Sequence, residues 1–175
     1  MNEPTGGQLE RVRSALSQYE GPLLRYAQRI TGDLHRARDV VQETFLRLWR
    51  EESDDLNGRL PQWLYTVCRN YALDVRRKET RMTTLAEPLA AETPAREPPP
   101  DESAATHETA DRILHWLDGL PANQQEVVRL KFQNGLRYRQ IAEITGLTET
   151  NVGFLIHKGI KTLRERARRM SVDNK

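Results

Sequence analysis

The sequence predicts an all-α chain: two small helical lobes joined by a flexible, proline-rich acidic linker, with a helix-turn-helix in the C-terminal lobe. Three observations predict it. Apolar residues recur at three- and four-residue intervals wherever they cluster, and nowhere alternate as a half-buried strand requires. Five prolines fall between Thr84 and Glu108 among alanines, threonines and acidic residues, a composition that buries too little apolar surface to offset the entropy of ordering it. Near the C-terminus a glycine-centred turn joins two short amphipathic segments, as in a helix-turn-helix. The implied boundaries are 1–83, 84–108 and 109–175 in a chain of 175 residues.

In the first lobe, Leu23, Leu24, Ala27 and Ile30 follow helical spacing, Pro22 suits a first turn and Gly32 stops the helix. Asp33 is placed to cap the next helix, whose Val40, Val41, Thr44, Phe45, Leu48 and Trp49 form a wide apolar stripe. The run "SDDLNGRLP" is rich in turn formers, and Pro61 opens a helix carrying Trp63, Leu64, Val67, Tyr71 and Leu73 before the basic "DVRRKETR". The second lobe restarts at Ala110 with Ile113, Leu114, Trp116 and Leu117, breaks at Gly119 to Pro121, and resumes with Val127, Val128, Leu130 and Phe132. Asn134-Gly135 ends that helix. Tyr138, Ile141, Ala142 and Ile144 make a short one closed by Gly146, and Thr148 caps a last helix bearing Val152, Leu155, Ile156, Ile160 and Leu163.

Charged residues are 30% of the chain and the formal net charge is only +2, so the distribution of charge is more informative than its sum. Basic residues predominate from Asp74 to Arg81 and from Lys158 to Arg169, flanking an acidic connector from Glu87 to Glu108. The single cysteine, Cys68, cannot form an internal disulfide and reads as a buried thiol. His35, His107, His115 and His157 are isolated, and no paired carboxylates, phosphate loop or nucleophile with a placed base is visible. No catalytic residue, metal site or cofactor is therefore expected. No apolar run is long enough to span a bilayer, and "MNEPTGGQLER" lacks the apolar stretch of a secretory signal, which implies a cytoplasmic protein without membrane insertion.

The second helix of a helix-turn-helix has the width to enter the major groove. With Val152, Leu155 and Ile156 facing inward, Glu149, Thr150, Asn151, Gly153, Phe154, His157 and Lys158 fall on or near the exposed side. Asn151 suits paired hydrogen bonds to adenine and Phe154 a thymine methyl, whereas His157, Lys158 and Lys161 suit phosphates. A modest rotation of the helix would instead place Phe154 in the core. In the first lobe, Trp63, Asn70 and Asp74 sit at spacings compatible with neighbouring helix turns, followed by Arg76, Arg77, Lys78 and Arg81. Aromatics beside basic groups hold unpaired nucleotides, although the spacing equally allows Trp63 and Tyr71 to be core.

Taken together, "DLHRARDVVQETFLRLWR", "LPQWLYTVCRNYALDVRRK", "LDGLPANQQEVVRLKFQNGLRYRQIAEITGLTETNV" and "KTLRERAR" resemble, in order and spacing over nearly the whole chain, a bacterial RNA polymerase sigma factor of the extracytoplasmic-function group of the sigma-70 family. The resemblance implies a subunit without catalysis that binds core polymerase and directs promoter-specific initiation in the cytoplasm, reaching the nucleoid through the polymerase. It implies a region 2 lobe whose Asp39, Gln42, Glu43, Leu46 and Trp49 dock on the β′ clamp helices. Asp55, Asn57, Gly58, Leu60, Trp63, Asn70, Asp74, Arg76 and Arg77 would then take the single-stranded −10 element. It implies a region 4 lobe whose Thr148, Glu149, Thr150, Asn151, Gly153, Phe154, His157, Lys158 and Lys161 meet the −35 duplex, with Leu120, Gln124, Val127, Val128 and Leu130 near the surface resting on the β flap. An anti-sigma factor is a possible further partner. Several relatives carry lysine, serine or arginine where this chain has "GFL", Gly153 to Leu155, which points to a promoter read more by shape or apolar contact. The alternative reading is a stand-alone helix-turn-helix regulator that binds duplex DNA, with the first lobe for dimerisation.

Overall fold

The computed structural model describes residues 6–51, 56, 58–85 and 115–173. Of the expected linker only Thr84 and Leu85 are described, and they continue the last helix of the first lobe rather than opening a linker; the rest of it, with Ala110, Ile113 and Leu114, lies outside the described residues. The chain divides into two compact units, 1–95 and 96–175, and the described residues are helices and turns without a strand. In the first unit α1 spans Gly6–Thr31, α2 Leu34–Arg50 and α3 Leu60–Leu85; each packs on the other two.

The first helix corrects the expected start at Pro22. It begins four turns earlier, with Pro22 in its interior. An interior proline costs about 3 kcal/mol, but Val12, Ala15, Leu23, Tyr26 and Ala27 are all buried, and this stripe runs unbroken through the proline. Burying several such side chains, at roughly 1.5–3 kcal/mol for each large one, outweighs one lost hydrogen bond. The early start has a second use: Gln8 and Arg11 donate side-chain hydrogen bonds to the carbonyls of Trp49 and Glu51. The last carbonyls of a helix point away from its own N–H groups, and these two side chains serve that end of α2.

Asp33 caps α2 as expected, its Oδ1 accepting from the Arg36 backbone N–H at 2.8 Å. That hydrogen bond, ahead of the nearby charges, holds its carboxyl below the ordinary value, so the cap weakens as pH falls through the lowered value. The expected stripe of α2 is inside, with Val40, Val41, Thr44, Phe45 and Leu48 buried. Thr44 stays satisfied there by donating to the Val40 carbonyl at 2.8 Å. Facing it on α3 are Leu64, Tyr65, Cys68 and Ala72, and the Tyr65 ring meets Tyr26 edge-on with centroids 5.2 Å apart.

Burial pushes the Cys68 thiol up from 9.0 to about 12, against a smaller opposing effect of its hydrogen bond with Thr44. An unfolded thiol ionises near 9 while the folded one does not. The protein therefore keeps this contribution to stability below pH 9 and loses it progressively as pH rises toward 12. Cys68 should resist alkylation at pH 8 in the native protein and react at the rate at which the unit opens. Mass-spectrometric labelling followed in parallel with denaturant unfolding checks this.

In the second unit a helical turn at 115–118 precedes α4 (Ala122–Phe132), α5 (Tyr138–Thr145) and α6 (Glu149–Asp173). Leu117, Leu120 and Val128 form a buried cluster with Ile160 and Leu163 of α6 packed against it. Gly146 adopts φ 73°, the left-handed conformation that closes α5, as its place after the last apolar residue predicts. Thr148 caps α6, its Oγ1 accepting from the Asn151 backbone N–H at 3.2 Å. The far end of α6 is tied back to the start of the unit: Arg166 donates to the carbonyls of Trp116 at 2.7 Å and Gly119 at 3.0 Å.

Candidate nucleic-acid and polymerase interfaces

Successive residues of a helix turn by about 100°, which sorts the exposed side chains of α6 and α3 into faces. On α6 the buried line is Val152, Leu155, Ile156 and Gly159. Opposite it stand Thr150, Phe154, His157, Lys161, Arg164 and Arg168, all of them exposed. Phe154 is 61% exposed, so the rotation that would have made it core is ruled out. Lys158 lies beside this line with its Nζ 5.9 Å from the centre of the Phe154 ring. Glu149 and Asn151 are exposed on the flanks, Thr148 is exposed at the cap, and Gly153 is partly covered. The surface is a helix face with one large apolar group among hydrogen-bonding and cationic ones, set on a packed base. It has the parts needed to meet base edges and phosphates together.

On α3, Leu64, Cys68 and Ala72 are buried, and the opposite face carries Trp63, Asn70, Asp74, Arg77 and Arg81 in one line. Trp63 is half-buried, which supplies both packing and an accessible ring; the others are exposed. Arg77 and Asp74 approach to 3.5 Å on the open surface, a pairing too solvated to hold either side chain fixed. Arg76 is exposed but falls more than a quarter-turn off this line, so it is not brought together with Trp63. Tyr71 is half-buried beneath the Arg47 guanidinium of α2, 5.4 Å from the ring centre. Gly58 precedes the helix with φ 80° and Leu60 is half-buried. Asp55 and Asn57 lie outside the described residues.

A third surface runs between α1 and α2. Val12, Leu16 and Leu24 from α1 and Val41, Phe45, Leu46 and Trp49 from α2 line an apolar groove of about 550 Å³. Glu20, Arg38 and Gln42 supply its polar members. Leu46 is 42% exposed, Asp39 and Gln42 are exposed, and Glu43 and Trp49 are half-buried. Arg47 pairs with Glu43 at 2.9 Å one turn along. An exposed apolar strip with a polar margin fits a protein partner.

Two parts of the chain match family descriptions: residues 15–82 match Sigma-70 region 2 and residues 110–163 match Sigma-70, region 4. Among curated proteins, the ECF RNA polymerase sigma factor SigL of Mycobacterium tuberculosis is 33% identical over 157 residues, spanning 87% of this chain and 86% of SigL. The chain belongs to the sigma-70 family of RNA polymerase sigma factors, in its extracytoplasmic-function group. SigW of Bacillus subtilis is 27% identical over 163 residues, covering 86% of this chain and 85% of SigW. In fold it is similar to the sigma factor RpoE solved with the anti-sigma factor NepR from Bartonella quintana. That likeness has a TM-score of 0.68 and 22% identity, and covers 91% of this chain and 98% of RpoE. As a sigma factor the chain binds core RNA polymerase and directs promoter-specific transcription initiation, and the stand-alone regulator is not favoured.

In the sigma factor's region 4, one expected surface requires correction. Leu120, Gln124, Val127, Val128 and Leu130 are all buried and do not form an outer face on which a flap could rest. The four on α4 are interior because that helix packs against both α5 and α6, and Leu120, just before it, is buried against Leu117 and Val128. Two features of the surfaces escaped the sequence reading: Tyr138 beside Gly153, and the α1 wall of the groove. The spacing of Leu9, Val12 and Leu16 would have revealed the second. Among the described residues no helix is long and apolar enough to cross a membrane, and no three His, Cys, Asp or Glu side chains gather as metal ligands.

Proposed function

We propose that this sigma factor divides its work among the three surfaces. The exposed face of α6 reads the −35 duplex, Trp63 and its line on α3 hold the opened −10 strand, and α2 docks on the β′ clamp through Asp39, Gln42, Glu43, Leu46 and Trp49. The observation that carries this is the segregation on α6, where Thr150, Phe154, His157 and Lys161 share one exposed face opposite the buried line. In the same reading the domain limits are 1–83, 84–108 and 109–175, which accommodate the matched segments 15–82 and 110–163. The protein works in the cytoplasm, at the nucleoid through its polymerase, without catalysis of its own. An anti-sigma factor is a further partner, as NepR is for RpoE.

The chemistry follows from charge and stacking. Extruding a base costs a few kcal/mol, which a fitted pocket offsets only for a base it accepts. Trp63 offers a ring on which an unpaired base can stack, and Arg77 and Arg81 on the same line offer phosphate contacts. Melting and selection then occur together.

Reconstitution with sigma-free core polymerase and a pool of promoter fragments tests the reading. Co-elution with new transcript starts is expected; free elution with duplex binding by the chain alone would overturn it. Within the holoenzyme, Lys161→Ala should lower the slope of log affinity against log salt by about 0.9 on duplex −35 fragments. Arg77→Ala should impair open-complex formation more than Arg76→Ala, since Arg77 shares the face of Trp63. Equal effects, measured by permanganate footprinting, would detach the single-strand site from that face.

A further inference from the structure

Gly153 stands on the flank of the α6 recognition face, one residue before Phe154. It has no side chain to present, and across the gap lies the ring of Tyr138, the first residue of α5. A Cβ on Gly153 would stand 3.4 Å from Tyr138 Cε2 and 3.8 Å from Cδ2. The tyrosine ring thus borders the space that a side chain at 153 would otherwise occupy. Tyr138 is 39% exposed, so part of it is open to a ligand. Its ring also has a cation beside it, Lys131 Nζ at 5.3 Å from the centroid, as the Phe154 ring has Lys158.

We propose that Tyr138 is a specificity-determining residue for the −35 element, its ring and the gap at Gly153 receiving the C5-methyl group of a thymine. This rests on the reading of α6 as the −35 helix. The major-groove edges of the bases carry donors and acceptors throughout, and the thymine methyl is their apolar feature. Gly153 and the Cδ2–Cε2 edge of the Tyr138 ring that faces it offer no side-chain hydrogen bond, so a polar base edge pressed between them loses water without replacement. A methyl group loses nothing and gains contact. The absent Cβ lets the base approach the helix closely, and the ammonium groups of Lys131 and Lys158 suit the flanking phosphates, which fix register without specifying sequence. Tyr138 thereby does from the first helix of the motif what a residue-153 side chain would do from the second.

The test uses the holoenzyme. A preferred −35 element is selected from a randomised duplex pool, and each thymine in it is then replaced singly by deoxyuridine, which removes the methyl and keeps the pairing edge. At one position methyl removal should weaken promoter binding about fourfold, the worth of one buried methyl-sized group. Tyr138→Ala should abolish that thymine-to-uracil difference at the same position while leaving the effects of other base changes. Tyr138→Phe should keep it. Gly153→Ala, which favours the helix and places one methyl in the gap, should diminish it, and serves if Tyr138→Ala fails to fold. Equal binding of thymine and uracil at every position, or an unchanged ratio in both Tyr138→Ala and Gly153→Ala, overturns the proposal. If scrambling the whole element leaves initiation unaltered, the −35 reading of α6 fails with it; if scrambling matters but uracil is tolerated, only the role of Tyr138 and Gly153 fails.

Discussion

Trp49→Ala is expected to weaken binding to core polymerase by roughly 2 kcal/mol, about thirtyfold, while α2 retains its protection against hydrogen exchange. Both halves follow from where Trp49 sits. The packing of α2 on its unit is carried by Val40, Val41, Thr44, Phe45 and Leu48, all buried, whereas Trp49 is half-buried at the lip of the α1–α2 groove. Its backbone carbonyl is held by Gln8, a contact that side-chain truncation leaves in place. Truncation therefore removes apolar area at the rim and spares the base beneath. Leu46→Ala should act in the same direction with a smaller effect, having less surface to lose. Titration of labelled protein with core polymerase, paired with hydrogen exchange on the free chain, separates the outcomes. Loss of α2 protection along with affinity would make Trp49 a structural residue.

What could be read from the sequence was whatever local chemistry decides. Asp33 before an apolar stripe, Gly146 after one and Thr148 before the next each sit where a helix end needs them, and the matching side chains or backbone angles are there. The start of α1 was misplaced because the rule for Pro22 is local while the burial of Val12 and Ala15 is tertiary. The flap-facing set failed for a related reason. Periodicity identifies the apolar side of α4 but not that α5 and α6 close over it. Arg76 and Arg77 are neighbours in sequence, yet one position of helix turns a side chain by about 100°, and a basic run conceals that difference. Tyr138 and Gly153 belong to different helices, and only packing brings them side by side.

A second glycine of α6 is packed more tightly than Gly153. Gly159 is buried in the line of α6 that faces α4, where an added Cβ would stand 3.0 Å from Val128 Cγ2, 3.5 Å from Leu120 Cδ1 and 3.8 Å from Gln124 Cβ. Gly159→Ala sets a helix-propensity gain of about 1 kcal/mol against a contact that requires Val128 to yield by a few tenths of an ångström, and its sign depends on that movement. Gly159→Leu leaves no such balance. Its three further carbons must enter a cluster already filled by Leu117, Leu120 and Val128, and overpacking of this kind costs about 1–3 kcal/mol. In a unit this small that is a large share of the total. Exchange protection should fall over α4 and α6 and remain in α1 to α3, which form a separate unit. Transcription that needs the −35 element should fall with it, while association with core polymerase through α2 is retained. Val128→Ala in the same chain should recover part of the loss by vacating the nearest contact, a coupling that a double-mutant cycle measures directly. Additive effects of the two substitutions would mean that α6 is displaced as a whole, and that Gly159 sets the angle of the helix rather than its fit against Val128.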